Sequence, residues 1–391
     1  MKVAIVQEHV DASRGGAETS TLELARELAR LGPRVTLIAA SRGPGPATLE
    51  SDSADQSAAG VAVHWIDVGA AGKLARTRRF VAGAAALCDG TFDVVHAISP
   101  CPGCDVYQPR GGLYPEAIER SLAPTPPGWR RALHRLGKRL NARQRYLTRV
   151  ERQTLTSDPP PRLAALSKYV AEQVRRRCLG FPADRIHVIF NGVNMTPRTE
   201  LDRAAQRRAL GLADGARCVL FVAHNFKLKG LRELIRAAAV APRPSWQILI
   251  AGRDRPEPYE RLARRLGVAG WLRFLDASSD LRPLYAAADV LAHPTWYDPC
   301  SRVVLEAIRC GLPVVTTRWN GAADAVTPER GVVLDEPDDV AGLAAAIDSL
   351  ARRGRAAAPR SGTSDCPELS MARHAIELLK LYEELSAQRR R

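Results

Sequence analysis

Two carboxylates eight positions apart, Asp298 and Glu306, are the residues of this 391-residue chain best placed to grip a polyhydroxylated ligand. They lie in the stretch 289–321, DVLAHPTWYDPCSRVVLEAIRCGLPVVTTRWNG, whose pattern reads as strand, loop, helix and strand. Val290-Leu291-Ala292 and Val314-Val315 are short apolar runs of the kind covered on both faces of a sheet. Ser301 suits an N-cap and Gly311 a C′ position, which bounds a helix over 301–310. Asp298 then stands in the loop and Glu306 one to two turns into the helix. The first amides of such a helix, around Ser301, Arg302 and Val303, can hold a phosphate. Carboxylates on either side can accept hydrogen bonds from sugar hydroxyls. The plainer alternative is an ordinary strand–helix–strand unit with a solvated Asp298 and a helix-surface Glu306. A cation for the same phosphate comes from His224-Asn225-Phe226-Lys227-Leu228-Lys229-Gly230, between a strand (218–223) and a helix (231–240). There Lys229, with Lys227 nearby, adds mobile positive charge to fixed N–H dipoles.

The elements that must position these groups alternate along the whole chain. Lys2–Gln7, Ala17–Leu31 and Val35–Ala40 form a β-α-β unit, with Ala17, Leu24, Leu28 and Leu31 on one helical stripe and Gly32 closing it. Between strand and helix, Arg14-Gly15-Gly16-Ala17-Glu18 lets backbone approach a ligand, or simply makes a tight turn. It is not G-x-G-x-x-G, so a dinucleotide fingerprint is absent. Further strands are expected at 61–66, 93–98, 163–167 and 186–190, and a loop at 41–60. The pattern restarts at 218–223 and continues through strands at 246–252 and 272–275, a helix at 338–350, a linker at 353–367 and a last amphipathic helix from 368. Alternation of this kind predicts two doubly wound parallel α/β domains, 1–192 and 193–367, with ligands at the carboxyl ends of their strands.

Asp298-x7-Glu306, followed by Ala307-Ile308 and Gly311-Leu312-Pro313-Val314-Val315, resembles the E-x7-E signature of the retaining family 4 glycosyltransferases, with aspartate for the first glutamate. The resemblance implies a GT-B fold, two Rossmann-like domains facing across a cleft, and a helix at 368–388 that packs back on the first domain. Lys229-Gly230 matches the family's K-G donor diphosphate site. Its frequent arginine five residues earlier is His224 here, a charge that Lys227 could replace. The resemblance further implies that Glu306 holds the ribose hydroxyls, and that Asp298 orients the hexose and stabilises an oxocarbenium ion without attacking it. Gly15-Gly16 resembles the family's first glycine loop, and Asn191-Gly192-Val193-Asn194 its NGVD hinge. Gly103-x-Asp105-Val106-Tyr107 is similar to the G-x-D-V-Y of lipopolysaccharide-core glucosyltransferases. Asp105, or His96 near the end of its strand, is the acceptor-side expectation, with a core histidine as the alternative. No two aspartates stand two apart, so the metal clamp of the other major glycosyltransferase fold is missing and no metal or other cofactor is expected.

Composition narrows the partners. Lys and Arg number 57 against 42 Asp and Glu, a net charge of +15, which points to an anionic membrane, a polyanion or a phosphorylated small molecule. Apolar residues at 46% can fill real cores, and no run of eighteen apolar residues offers a membrane span. The start, MKVAIVQ, reads as a first strand and not as a signal peptide. Eight scattered cysteines fit a reducing, cytoplasmic setting. Cys101-Pro-Gly-Cys104 lacks the second pair a zinc site needs, so a structural loop is expected. The segment 129–156 carries nine basic residues against Glu151, with leucines at helical spacing. It reads as one or two amphipathic helices, either docked on the core with a solvated basic face or resting on anionic lipid. Sparse aromatics (Trp129, Tyr146) disfavour nucleic acid. The expectation is a cytoplasmic, peripheral membrane enzyme that moves a hexose from a nucleotide sugar, UDP-linked by family default, to a glycan or lipid-linked acceptor. A nucleotide-sugar 2-epimerase of the same fold and a non-enzymatic nucleic-acid-binding protein are the rivals.

Overall fold

The computed structural model describes residues 1–11, 15–41, 43, 61–88, 90–195, 202–213, 215–241, 246–276, 280–353 and 366–389. Most of the expected loop at 41–60, most of the linker at 353–367, and Arg14 lie outside the described residues. β1 (Lys2–Val6) leads through α1 (Gly16–Arg30) to β2 (Arg34–Ser41) and β3 (Val61–Asp67). α2 (Lys73–Ala86) returns to β4 (Val94–Ala97), and β5 (Val106–Tyr107) follows. Then come α3 (Tyr114–Arg120), α4 (Trp129–Leu140), α5 (Ala142–Leu155), β6 (Arg162–Ala165), α6 (Lys168–Arg177) and β7 (Ile186–Val188). The second half runs α7 (Arg203–Ala209), β8 (Arg217–Val222), α8 (Leu231–Val240), β9 (Trp246–Ala251), α9 (Glu257–Arg265) and β10 (Leu272–Leu275). It continues with α10 (Arg282–Ala287), β11 (Val290–Ala292), α11 (Arg302–Arg309), β12 (Val314–Thr317), β13 (Gly331–Leu334) and α12 (Val340–Arg353), and the chain closes with α13 (Met371–Arg389).

These elements form two compact units, 1–193 with 369–391, and 194–368. Each has one all-parallel sheet, in the order β3-β2-β1-β4-β5-β6-β7 and β10-β9-β8-β11-β12-β13. Strand order reverses beside β1 in the first and beside β8 in the second. The central strands are buried on both faces, as near-continuous apolar sequences such as VAIV and CVLFV require, and the edge strands β3, β7 and β10 are partly exposed. In the first unit the sheet separates two cores: one holds Phe80, Tyr107, Val150 and Val174, the other Leu24, Leu28, Leu378 and Tyr382. In the second, Trp246, Phe221, Phe226 and Ile347 fill one face.

The buried stripe of α1 is Ser20, Thr21, Leu24, Ala25 and Leu28. Leu31, expected on that stripe, is instead the helix's C-cap and 40% exposed, because it lies beyond the last helical turn, where the chain leaves the core. α13 buries Met371, His374, Ala375, Leu378, Leu381 and Tyr382 at helical spacing and so completes the first unit's core. Where the chain leaves that unit, the Val193 amide donates to the Leu369 carbonyl at 2.9 Å, and Val193 pairs with Ser370. Gly192 is required there, since a Cβ would overlap the Ser370 carbonyl oxygen.

Candidate functional site

The second unit's sheet reverses order between β8 and β11, so the loops after those two strands diverge from a shared edge. After β8 the chain makes a turn in which the Lys229 amide donates to the Asn225 carbonyl (3.0 Å) and the Phe226 amide to Asp254 (2.8 Å). Gly230 then opens α8 at φ 85°, the left-handed region, with a Cβ position occupied by the Pro294 carbonyl. That contact brings the loop after β8 against the loop after β11. The Trp296 amide (2.9 Å) and the Thr295 hydroxyl (3.2 Å) both donate to the Leu228 carbonyl. The product of this stitching is one polar pair: Lys229 Nζ lies 2.6 Å from Asp298 Oδ2 and 2.9 Å from the Tyr297 carbonyl.

Asp298 is held in turn. Its Oδ1 accepts the Cys300 amide at 3.2 Å, its own amide donates to Trp319, and its carbonyl accepts from Gly321. Asn320, almost fully buried, accepts the Ser301 and Ala322 amides (3.1 and 3.0 Å) and donates to Thr316. This ties the start of α11 to the end of β12. Ser301 occupies the N-cap of α11 without a side-chain cap bond, and Arg302 and Val303 supply the helix's first amides. One turn further, Glu306 is buried; Arg302 Nη2 donates to its Oε1 and the Tyr285 hydroxyl to its Oε2, both at 3.0 Å. A carboxylate accepts about four hydrogen bonds, so two such donors fix Glu306 and leave it further capacity. Lys227 and His224 are exposed on the loop before Lys229.

His293, at the end of β11, is buried and neutral, its pKa lowered to about 3 by burial and by Lys229. It stacks on Phe221 at 6.5 Å and supports the loop from below. Burial and the adjacent Glu306 push the Tyr285 phenol well up, so it stays a donor. Among the described residues no group of three or more His, Cys, Asp and Glu side chains converges as a metal site.

In the first unit, Gly15 caps α1 and Gly16 begins it, at the carboxyl edge of β1. The two acceptor-side expectations are corrected. His96 is fully buried inside β4, where its Nδ1 shares a 2.5 Å hydrogen bond with the Tyr382 hydroxyl of α13. Burial lowers its pKa to about 3, with Arg110 adding to the effect. It is a core histidine. Asp105 stands at the amino end of β5, because the chain doubles back through Cys101–Cys104 to start a strand parallel to β4. Its Oδ2 accepts the Val95 amide at 2.7 Å, and Arg389 bonds its Oδ1. It therefore sits at the sheet edge opposite the one where ligands gather. Asn191 of the expected hinge turn lies at the carboxyl edge, accepting from Ser20 of α1, and beside it stand three further side chains: Arg110, buried and bonded to Ser20, with Gln108 and His374. No local motif marks them. Tyr285 likewise belongs to no motif in the sequence.

The basic segment divides at Asn141, whose side chain caps α5 by accepting the Gln144 amide. α5 docks on the core through Leu147, Val150 and Leu155. Glu151 is not a surface counter-charge: it is buried, accepts from the Tyr107 hydroxyl (2.7 Å) and the Tyr114 amide (2.8 Å), and is pushed up to about 7 by desolvation. Arg143 turns inward to Glu8 (2.7 Å) and Thr77. α4 buries nothing, and Trp129, Leu133, Leu136 and Leu140 are 72%, 59%, 51% and 67% exposed.

Comparison with known proteins places this geometry. The model of Glycosyltransferase Family 4 matches residues 14–196, and that of Glycosyl transferases group 1 matches 202–358. The lipopolysaccharide glucosyltransferase WaaG of Escherichia coli K12 is 28% identical over 253 residues, 63% of this chain and 64% of that protein. The chain spans between about half and two thirds of the length of the curated relatives it matches. A solved WaaG structure superposes with a TM-score of 0.73 at 23% identity over 98% of both chains. The Anabaena protein HepE in complex with UDP-glucose gives 0.69 at 20% identity over 98% of this chain and 100% of its own. These likenesses establish the GT-B fold. With one family model on each unit and a shared fold along its length, the chain belongs to the family 4 glycosyltransferases.

Proposed function

We propose that the protein moves a hexose from a UDP-linked sugar to a glycan or lipid-linked acceptor, in lipopolysaccharide or another surface polysaccharide, with retention of configuration and without a metal ion. The observation that carries this reading is the Lys229–Asp298 pair at the second unit's switch point, 2.6 Å apart and beside the start of α11. A nucleotide sugar bound at that edge meets a cation for its diphosphate and a carboxylate for its hexose. The bond from sugar C1 to the phosphate oxygen breaks with its electrons going to the phosphate. Lys229 and the amides of Arg302 and Val303 meet the developing charge, the function a metal serves elsewhere. Asp298 stabilises positive charge on the sugar ring, and Glu306 holds ribose hydroxyls. The acceptor oxygen bonds C1 on the same face, and its proton goes to the departing phosphate. HepE, bound to UDP-glucose, supports the choice of donor, and WaaG supports the choice of acceptor.

The exposed apolar and basic faces of α4 support work at an anionic membrane surface, and no helix among the described residues is long and apolar enough to cross one. A thermal-shift screen of nucleotide sugars tests the donor, since a ligand bound only by the folded state raises the melt by mass action. UDP-glucose or another UDP-hexose should stabilise, and NMR of the product should show the donor's anomeric configuration in EDTA. No response to any nucleotide sugar would defeat the transferase reading. An epimer released without acceptor would favour the 2-epimerase.

A further inference from the structure

Between α3, α4 and α5 lies a groove of about 590 Å³ that the transfer reading does not use. Six of its lining residues are cations: Arg135, Lys138 and Arg139 from α4, and Arg145, Arg149 and Arg152 from α5. Its single carboxylate, Glu119, is already bonded to Arg177 at 2.6 Å. The opposite wall is apolar, with Ile118 and Leu122. Placing six like charges around one concavity costs self-repulsion that a solvated surface would avoid by dispersing them. The same helix shows the contrast, because Arg143 of α5 has a half-buried carboxylate partner in Glu8. Among the described residues none of the six groove cations forms an ion pair.

We propose that this groove seats the headgroup of a membrane lipid bearing a phosphomonoester, with α4 as the wall that lies in the bilayer surface. Five of the six cations are arginines, whose planar forks match phosphate oxygens two at a time. A dianionic phosphomonoester offers three acceptor oxygens to such forks, where a phosphodiester offers two and one charge. The volume suits a phosphate with an attached polar residue. The source is a lipid and not a soluble phosphate because α4 adds an apolar face beside the groove. Trp129, Leu133, Leu136 and Leu140 are more than half exposed there, at the spacing of one helical face, and nothing among the described residues covers them. The groove would bind such a lipid even if the chain transferred no sugar, so this proposal and the proposed function fail separately.

The test uses the full chain and sedimentation with phosphatidylcholine vesicles that contain either phosphatidic acid or phosphatidylglycerol, matched in surface potential. Wild-type protein is expected to bind the phosphatidic acid vesicles at least tenfold more tightly. The triple variant Arg145→Gln, Arg149→Gln, Arg152→Gln should lose that preference and keep its phosphatidylglycerol binding within about threefold, with an unchanged melt. Trp129→Ala with Leu133→Ser should weaken binding to both vesicles. A control that removes three exposed arginines of α9, Arg261→Gln, Arg264→Gln, Arg265→Gln, should leave the preference intact. Equal binding to the two matched vesicles overturns the proposal, as does a control variant that loses as much as the groove variant. Competition by inositol hexakisphosphate that empties the groove variant and wild type alike would reduce the contact to general charge. Tight binding of that soluble polyphosphate by wild type, with no vesicle preference, would make the occupant a soluble anion and refute the lipid.

Discussion

Lys229 and Asp298 are assigned to different parts of one ligand, so removing each should have opposite effects on nucleotide affinity. Their side chains are 19% and 15% exposed, between the surface and buried limits for ion pairs. At 2.6 Å the gross attraction is about 6 kcal/mol at an effective dielectric of 20. Desolvation offsets most of it, leaving a net cost of roughly 2 kcal/mol for a stranded Asp298. For a unit of this size that is a fall in melting temperature of about 4–8 °C. In Lys229→Ala the diphosphate also loses a charge-assisted contact worth about 1.5–3 kcal/mol, so UDP affinity should fall between roughly 10- and 150-fold. In Asp298→Asn the carboxylate that competes with phosphate for the lysine is gone. UDP should then bind as well as in wild type or more tightly, while sugar transfer falls about 100-fold. Calorimetric titration with UDP, beside a transfer assay with UDP-hexose, reads both quantities. If Asp298→Asn weakens UDP as much as Lys229→Ala does, the division of labour at the switch point is wrong.

Tyr285→Phe removes one of two donors to Glu306; donor KM should rise several-fold at nearly constant kcat, and a pure kcat effect in steady-state kinetics would contradict a ribose-holding Glu306. Gly230→Ala places a Cβ on the Pro294 carbonyl at φ 85°, so the second unit should lose about 3 kcal/mol in denaturant unfolding together with UDP binding. Asp105→Asn, at the sheet edge away from the site, should cost about 1 kcal/mol through the Arg389 and Val95 contacts and leave transfer unchanged; a large loss of kcat/KM would restore it as an acceptor-side group. Glu151 has its pKa raised from 4.5 to about 7, so its stabilising contribution is complete below pH 4.5 and is lost as pH rises through 7. The loss is at most about 3 kcal/mol, and Glu151→Gln should flatten the decline in stability over that window.

Much of this site could be read locally, and the failures share a cause. Strands such as β8 and β11 announce themselves as short apolar runs, and the spacing from Asp298 to Glu306 places both acids on one loop–helix junction whatever the rest of the fold does. The Lys229 turn is equally local. What the sequence hides is a partner far along the chain. His96 is held by Tyr382, 286 positions away, and Arg143 by Glu8, 135 positions away. Both look like surface or site residues until those partners are known. Asp105 was misplaced because β5 is two residues long, too short for any periodicity, so the reversal through Cys101–Cys104 left no trace in the pattern. The nine basic residues of 129–156 were read as a single face for the same reason: helical spacing gives the face of a residue but not what stands opposite it.

The two sheets sharpen the point about what makes a site. Through six strands they have the same order, so each has a switch point at its central pair, β1/β4 in the first unit and β8/β11 in the second. The residues that follow those strands differ. After β1, Glu8 is consumed: its amide donates to Ser99 at 3.0 Å and its carboxylate takes Thr77 and Arg143, so an acid at this junction serves the core beneath α5. After β8 and β11, Lys229 and Asp298 are held by backbone stitching and by each other, and both stay partly open to solvent. Each remaining hydrogen-bonding direction of that pair can therefore be given to a ligand without breaking the fold. Duplicated topology supplies two candidate edges, and the proposed transfer is assigned to the one whose charged groups are positioned by backbone contacts and not spent on packing.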